Sequence, residues 1–533
     1  MREVPVVIVG GGPVGLTAAL ECAYFGIPAL LVERNAGTTW HPKARNLNSR
    51  TMEIMRRLGV EPALRAVGLA EAWTNEIVYA QTLSGVELGR MKTGGFASSG
   101  SEVSPSAAVL SSQDVFEPIW RARAEQSPLL ELLFDHAAEL LEVGDEGALV
   151  RVTANSPGAE SEEVRARFVV VADGAGSVIR ESLGIEMEGP ENLGHFINVY
   201  YRANLDRLVA HRPAVLYFTA EKAGRGVFQP LDGRDRWLSQ IGYDGSEKTR
   251  AGFDAQRCTE WIRCATGLPD LNPEIRGIAN WTMNATVAAS YRRASAFLVG
   301  DSAHQLPPTG GFGLNTGIQD VHNLIWKLAF VLKDWADPGL LDTYEDERKP
   351  VARFNADRAR DNSQAVAGIQ RAASAAAASG DPSAALAVAE SRRYGNFQGL
   401  ELGFSYRSRA VIDDATDAPR VSDEVEDYAP CARPGHRMPH MWLAGGRCST
   451  LDLVQRRLLV LTDSNAWLEA AAQHNIDCRV VPGNPAFRDL FGLEAGGAVL
   501  VRPDGHVAAR FAMPPELPGG ALAGTLRTLL DLG

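Results

Sequence analysis

At 533 residues the chain is too long for one ordinary domain, and two or three cores are expected. Hydrophobic residues at 45% and charged residues at 22% suit a globular protein, and 53 Lys+Arg against 65 Asp+Glu leave a net charge of -12. That sign argues against a nucleic-acid partner, which needs clustered cations.

No apolar run reaches the ~20 residues needed to cross a bilayer. The early run "VVIVGGGPVGLTAAL" places its glycines on a turn, so neither a membrane partner nor a signal peptide is expected. Six cysteines (Cys22, Cys258, Cys264, Cys431, Cys448, Cys478) are scattered without a C-x-x-C spacing. They read as free thiols of a reducing cytoplasm.

In chain order, "VPVVIVG" reads as a short strand ending at glycines, "PVGLTAALECAYFG" as a helix stopping at Gly26, and "PALLVER" as a second strand. The turn between them carries Gly10-x-Gly12-Pro13-x-Gly15, and Glu33 follows at the end of the second strand. Such glycines let the backbone approach a pyrophosphate, whose charge sits on the helix N-terminus, and the acid suits ribose hydroxyls. The turn alone does not separate NAD from FAD.

"SRTMEIMRRLG" and "VFEPIWRARAEQSPLLELLFDHAAELL" are expected as helices. From about Leu193 to Ala285 the pattern becomes strands with hairpin punctuation, an antiparallel sheet. Next, "FLVGDSAHQLPPTGGFGLNTGIQDVHNLIWKLA" ends an apolar strand at Gly300-Asp301 and runs through a Pro-Pro-Thr-Gly-Gly loop into a helix near Leu314-Asn315. Asp301 can bond polyol hydroxyls, and the amides starting the helix suit an anionic flavin edge.

The mixed-charge run "YEDERKPVARFNADRAR" reads as a solvated helix face. The Ala/Ser-biased stretch "RAASAAAASGDPSAALAVAES" fits either an exposed helix or a connector. From about residue 430, strand and helix alternate in a small α/β segment, read as a packing or dimerisation module.

Three motifs in order, the glycine turn, Asp173-Gly174 in "VVVADGAGSVIRESLGI", and Gly300-Asp301 with its loop, resemble the single-component FAD-dependent aromatic hydroxylases, the para-hydroxybenzoate hydroxylase group. "HPKARNLNSRTMEIMRRLG", "LLDTYEDERKPVA", "GFSYRS" and the C-terminal extension are more similar to the larger phenol, chlorophenol and aromatic-polyketide branch.

The resemblance implies an α/β fold. A discontinuous Rossmann-like FAD domain (1–80, 105–192, 286–395) would carry an inserted antiparallel substrate domain (81–104, 193–285), followed by a thioredoxin-like C-terminal domain (430–533) without redox cysteines. Gly10, Gly12, Pro13 and Gly15 would form the dinucleotide turn. Glu33 and Arg34 would hold the adenosine end. Arg45 and Gln113 would flank the pyrophosphate and ribityl region, with Asp173 behind the pyrophosphate and Asp301 on the ribityl chain. Pro308 would lie beside the reacting ring, and the amides of Gly313, Leu314 and Asn315 would face the pyrimidine.

Pro308 and Arg45 are the candidates for catalytic positions. Arg45 stands where simple phenol hydroxylases carry an acid, which leaves phenol deprotonation to another residue or to the substrate's own acidity. Tyr217, Phe228, Gln229, Pro230, Trp237, Gln240 and Trp281 are candidates for the substrate face. His304 reads as a structural loop histidine, with His41, His195 and Tyr291 weaker still. His436 and His440 lack a third ligand, so no metal is expected.

The implied chemistry is hydroxylation of a phenolic, preferably polycyclic polyketide-like ring, as in antibiotic biosynthesis. Transient NADPH (or NADH) reduces FAD, and O2 then gives a C4a-hydroperoxide shielded from water. The motifs equally fit a Baeyer–Villiger or epoxidising oxygenase, or a hydroxylase of simple halophenols. A flavin dehydrogenase or reductase that does not use O2 is the competing class, and the Pro-Pro-Thr-Gly-Gly loop argues against it. A homodimer through the middle or C-terminal domain is compatible with this organisation.

Overall fold

The computed structural model describes residues 2–93, 102–379 and 395–532. Its first eight-stranded sheet is organised by four parallel pairings. Arg2–Val9 lies between Ser161–Val171 and Ala29–Glu33, with Ala296–Leu298 and Leu130–Phe134 outside them. Val6, Val7, Ile8, Leu30, Leu31 and Val169–Val171 are buried almost completely, the continuous apolar pattern of a parallel sheet covered on both faces.

The helix Pro13–Phe25 follows the first strand, opened by a proline at its start and closed by Gly26 at φ 73°. It packs against the 21-residue helix Phe312–Leu332, buried along nearly its whole length.

The second sheet has seven strands in the order Glu274–Met283, Gly194–Arg202, Arg236–Tyr243, Gly226–Pro230, Leu216–Thr219, Glu76–Ala80, Glu87–Lys92. It is antiparallel except for the pair Leu216–Thr219 and Glu76–Ala80. Glu76–Ala80 thus belongs to this sheet although it precedes the boundary expected at residue 80. One face packs against the helix Ala255–Thr266, where Tyr217, Phe228, Trp237, Trp261 and Ile262 form a core.

The C-terminal sheet runs Asp477–Val480, Leu459–Thr462, Ala498–Val501, Val507–Phe511, its first pair parallel and the others antiparallel. With the helices Ala466–Gln473, Pro485–Phe491 and Pro518–Leu529 it forms the α/β unit expected of the tail.

Two expectations are corrected. The stretch from Val115 to Leu141 is helical only over Gln113–Glu125; Leu130–Phe134 and His136–Gly144 are strands. The run "QSPLL" breaks the helix, and the alternating exposure of the second strand is a period of two that composition alone hides. The mixed-charge run is helical within Thr343–Ser379, but Glu347 and Arg348 are buried rather than solvated. The Ala/Ser-biased stretch is helix through Ser379, and its remainder lies outside the described residues. Among the described residues no helix is long and apolar enough to cross a membrane.

Candidate functional site

A single cavity of about 1380 Å³ runs from the first glycine turn, past the Pro-Pro-Thr-Gly-Gly loop, to the open face of the seven-stranded sheet. Ligand sites for one drug-sized molecule usually occupy ~300–1,000 Å³, so there is room for a cofactor and a second compound.

At the glycine turn the three glycines do different work. A Cβ on Gly10 would lie 2.2 Å from the Ala172 carbonyl oxygen, and one on Gly15 would lie 1.8 Å from that of Gly10. Both are required for strand and helix to meet. A Cβ on Gly12 would meet nothing within 4 Å, so Gly12 keeps space open over the helix start. Gly10, Gly12 and Pro13 line the cavity; Gly15 does not and acts through packing.

Glu33 lines the cavity and is buried. One carboxylate oxygen accepts the Gly11 amide at 2.6 Å, and the other accepts the Asn35 amide at 2.8 Å. It therefore holds the turn's shape as well as facing any ribose. Arg34 is beside it on the wall. Gln113 also lines the cavity, but its amide is engaged: Oε1 accepts from the Ala44 amide at 3.2 Å, and Nε2 donates to Glu117 at 2.7 Å. Burial pushes the Glu117 carboxyl up, and its other oxygen takes the Thr39 amide. Glu117 and the segment it clamps were not anticipated from the sequence.

Arg45 lines the cavity as well. Its guanidinium donates to the Val215 carbonyl at 2.6 Å and the Pro230 carbonyl at 3.2 Å, at the ends of two inner strands of the seven-stranded sheet. Carbonyl dipoles rather than a phosphate take these two donors, so Arg45 ties the first domain's loop to the sheet.

Asp173 and Asp301 are the acids on the far wall. Asp173 Oδ1 is buried without a hydrogen-bond partner among the described residues, and burial raises the carboxyl. Asp301 projects into the cavity from the turn Gly300–Ser302, where the enclosing walls likewise push its carboxyl up. Two acids facing an enclosed space call for hydroxyl donors, which is what a ribose–pyrophosphate–ribityl chain presents.

The loop Leu306–Gly311, with Gly313 and Leu314, lines the cavity. Gly311 takes φ 71° as the residue before the helix, and no side chain caps the first turn. Its leading amides therefore have no intrahelical acceptor and carry the positive end of the dipole. Thr309 Oγ1 donates to the Ala359 carbonyl at 3.0 Å, fastening the loop to the long helix. Pro308 is on the wall. Asn315 is not: its side chain accepts from the Asn48 amide and Thr51 hydroxyl and donates to the Asn46 and Gly311 carbonyls. It braces the loop from behind.

On the sheet, Gln229, Gln240 and Trp281 face the cavity, whereas Tyr217, Phe228, Pro230 and Trp237 do not. Tyr217, Phe228 and Trp237 are fully buried against the helix Ala255–Thr266 side, Phe228 stacking on Trp261 at 5.4 Å. The sequence identified the strands but named residues of both parities on Gly226–Pro230 and Arg236–Tyr243, and alternation sends every second side chain to the opposite face. The true wall includes Phe196, Asn198, Leu216, Phe218 and Val227.

His304 is buried beside Asp320, as a structural role requires. His440 Nδ1 lies 2.7 Å from the Ser449 hydroxyl.

The FAD binding domain family matches residues 3–359, and the aromatic-ring hydroxylase C-terminal family matches 431–532. The chain is 36% identical to a provisionally named polyketide hydroxylase of Streptomyces halstedii, over 100% of this chain and 98% of that one. It is 34% identical to tetracenomycin A2 monooxygenase-dioxygenase of Streptomyces glaucescens, over 99% and 97%. Among solved structures, the flavin-dependent monooxygenase PieE in complex with FAD and substrate superposes with a TM-score of 0.88 at 33% identity, covering 100% of this chain and 99% of that one.

Proposed function

From the premise that this chain belongs to the FAD-dependent aromatic-ring hydroxylases, we propose that it hydroxylates a flat, multi-ring phenol of the aromatic-polyketide type, using NADPH or NADH and O2. It is an FAD-dependent monooxygenase. The observation that carries the substrate reading is the continuity of the cavity. One space joins the acid- and glycine-lined half to a sheet face built of aromatics and amides, and it exceeds what one ligand fills.

In this reading Gly12, Pro13, Glu33, Arg34, Gln113, Asp173 and Asp301 hold the cofactor. Bound there, FAD supplies hydride acceptance and the activation of dioxygen for oxygen transfer to a ring. The chain's own groups bind, orient and exclude water. The leading amides of the helix Phe312–Leu332, at Gly313 and Leu314, favour negative charge at their end of the cavity. Pro307 and Pro308 place an apolar shoulder at the junction, which keeps water from the reacting atoms. Arg45 holds the ends of two inner strands of the sheet against the first domain. Six free cysteines and a reduced nicotinamide donor support a cytoplasmic location.

The test is NADPH consumption, H2O2 release and incorporation of labelled oxygen from O2 with the yellow holoprotein and a panel of phenols, naphthols and hydroxyanthraquinones. A polycyclic phenol that accelerates NADPH oxidation, leaks little H2O2 and gains one hydroxyl is the expected result. A best substrate with one ring overturns the substrate class. Ring expansion or an epoxide places the chain with the alternative oxygenases, and oxidation that needs an added quinone and ignores O2 overturns the proposal.

A further inference from the structure

Strand register places Ala279, Asn198, Gln240, Val227 and Phe218 side by side across five neighbouring strands, on the face that lines the cavity. At one end Trp281 lies opposite Phe196, their rings stacked at 4.6 Å and 16°. At the other end stand Phe218 and Leu216, with Gln229 between them and the centre. Two apolar ends thus flank three primary amides.

Asn198 Oδ1 accepts the Trp281 indole N–H at 2.9 Å, which orients the amide and leaves Nδ2 as its available end. The side chains of Gln229 and Gln240 are half-buried and make no hydrogen bond to another described residue. No Asp, Glu, Lys or Arg from this sheet lines the cavity, nor from the part of the long helix that faces it, Ser363 to Gln370. Arg45, which lines the cavity at the ends of two inner strands, gives two donors to backbone carbonyls.

A primary amide offers a donor and an acceptor with no charge. A row of them matches neighbouring hydroxyl and carbonyl oxygens along one edge of a fused-ring compound, while the apolar ends take the ring faces. A carboxylate among these amides would lose water and meet no cation from the sheet or the long helix, while Arg45 and Lys43, elsewhere on the cavity wall, stand outside the amide row. Resting on the hydroxylase reading above, we propose that Asn198, Gln229 and Gln240 are specificity-determining residues that select an uncharged, planar ring system bearing adjacent hydroxyl and carbonyl oxygens, and reject its ring carboxylates.

The experiment uses oxidised, FAD-loaded protein without NADPH, so binding is read independently of turnover. Flavin fluorescence is titrated at pH 7 with 1,8-dihydroxyanthraquinone, with its 3-carboxylic acid and with unsubstituted anthracene. The dihydroxyquinone should bind at least about tenfold more tightly than the acid. Gln240→Leu and Gln229→Leu should each weaken it about fivefold or more and leave anthracene unchanged, and Gln240→Lys should raise affinity for the acid. FAD content and the flavin spectrum of each variant check folding.

Equal or tighter binding of the acid overturns the selectivity while leaving the hydroxylase reading intact. Leucine variants that both bind the quinone within twofold of the parent remove the amides from the site. If no ring compound perturbs the flavin, the polycyclic reading itself falls and takes this inference with it.

Discussion

The Asp320 carboxylate lies 2.7 Å from His304 Nε2, both side chains fully buried, and the same oxygen accepts the Gly300 amide at 3.2 Å. Its second oxygen takes Arg348 Nε at 2.8 Å. Asp320 therefore fixes both ends of the short turn that presents Asp301 to the cavity, while its own helix starts at the cavity loop. Burial alone would raise the Asp320 carboxyl, but His304 and Arg348 overcome that and hold it below the usual range.

This arrangement separates two variants. Asp301→Ala removes a group that faces open space, so thermal unfolding of the apoprotein should change little while FAD is lost on gel filtration. Asp320→Asn breaks a buried ion pair, which costs ~3–5 kcal/mol, so both the melting temperature and FAD retention should fall. An Asp301→Ala protein that elutes fully yellow contradicts its assignment to the cofactor. An Asp320→Asn protein that melts with the parent contradicts the bracing role.

The glycine turn gives a second contrast. Gly12→Ala adds a methyl group to open space, so the chain should fold yet bind FAD at least tenfold more weakly, because the methyl group occupies the approach to the helix start. Gly15→Ala would place its methyl carbon 1.8 Å from the Gly10 carbonyl oxygen and should reduce soluble yield as well as FAD. Circular dichroism and flavin content distinguish the two; equal behaviour would mean that the turn reshapes freely.

Much of the first sheet was legible because its strands are unbroken apolar runs next to glycines whose spacing has a steric cause. Order of motifs picked out residues that share one cavity wall, Gly10, Gly12, Glu33, Asp173 and Asp301. The sheet side of the cavity was not legible at side-chain level. Tyr217, Phe228 and Trp237 attract attention as aromatics, but a sheet packed on one face by a helix and open on the other needs large apolar residues on both. Parity was decided by where the helix Ala255–Thr266 docks, which no local pattern states. Glu347 and Arg348 misled in the same way. Within a mixed-charge run nothing local reveals that these two meet Lys327, Arg502 and Asp320 from distant elements.

Glu401 supplies a pH prediction. It is buried beside the start of the helix Ser49–Arg57, one oxygen 3.4 Å from the Ser49 amide, with Glu53 nearby. Burial pushes its carboxyl up to about 8, and the Glu53 charge adds to that. A carboxyl whose folded value lies above its unfolded one gives full stability below the unfolded value, near 4.5, and loses it as pH rises towards 8. Glu401→Gln should therefore match the parent at pH 4.5 to 5 and exceed it at pH 8, by up to about 4 kcal/mol. Parallel melting curves at both pH values would show Glu401 to be uncoupled from folding.

The last prediction concerns the C-terminal unit. Arg502 lies in the hairpin between Ala498–Val501 and Val507–Phe511, yet its guanidinium grips both oxygens of Glu347 on the long helix at 2.6 and 2.8 Å and pairs with Asp504. Glu347 also takes Lys327 at 2.8 Å and Asn323 at 2.6 Å, both on the helix that begins at the cavity loop. Every member of this cluster is buried. Burial would raise Glu347, but Arg502 and Lys327 hold it far below the usual carboxylate range, so the pairing is present above that range and drains only in strong acid. The C-terminal unit is thereby fastened to the helix whose first residues line the cavity. Arg502→Met leaves Glu347 and Asp504 short of a cation and should cost ~3–5 kcal/mol, whereas adding Glu347→Leu should restore part of that loss. If the fastening matters for shielding, Arg502→Met should also release a larger share of NADPH electrons as H2O2 at a temperature where it remains folded. An unchanged H2O2 share with a lowered melting temperature would confine the C-terminal unit to stability alone.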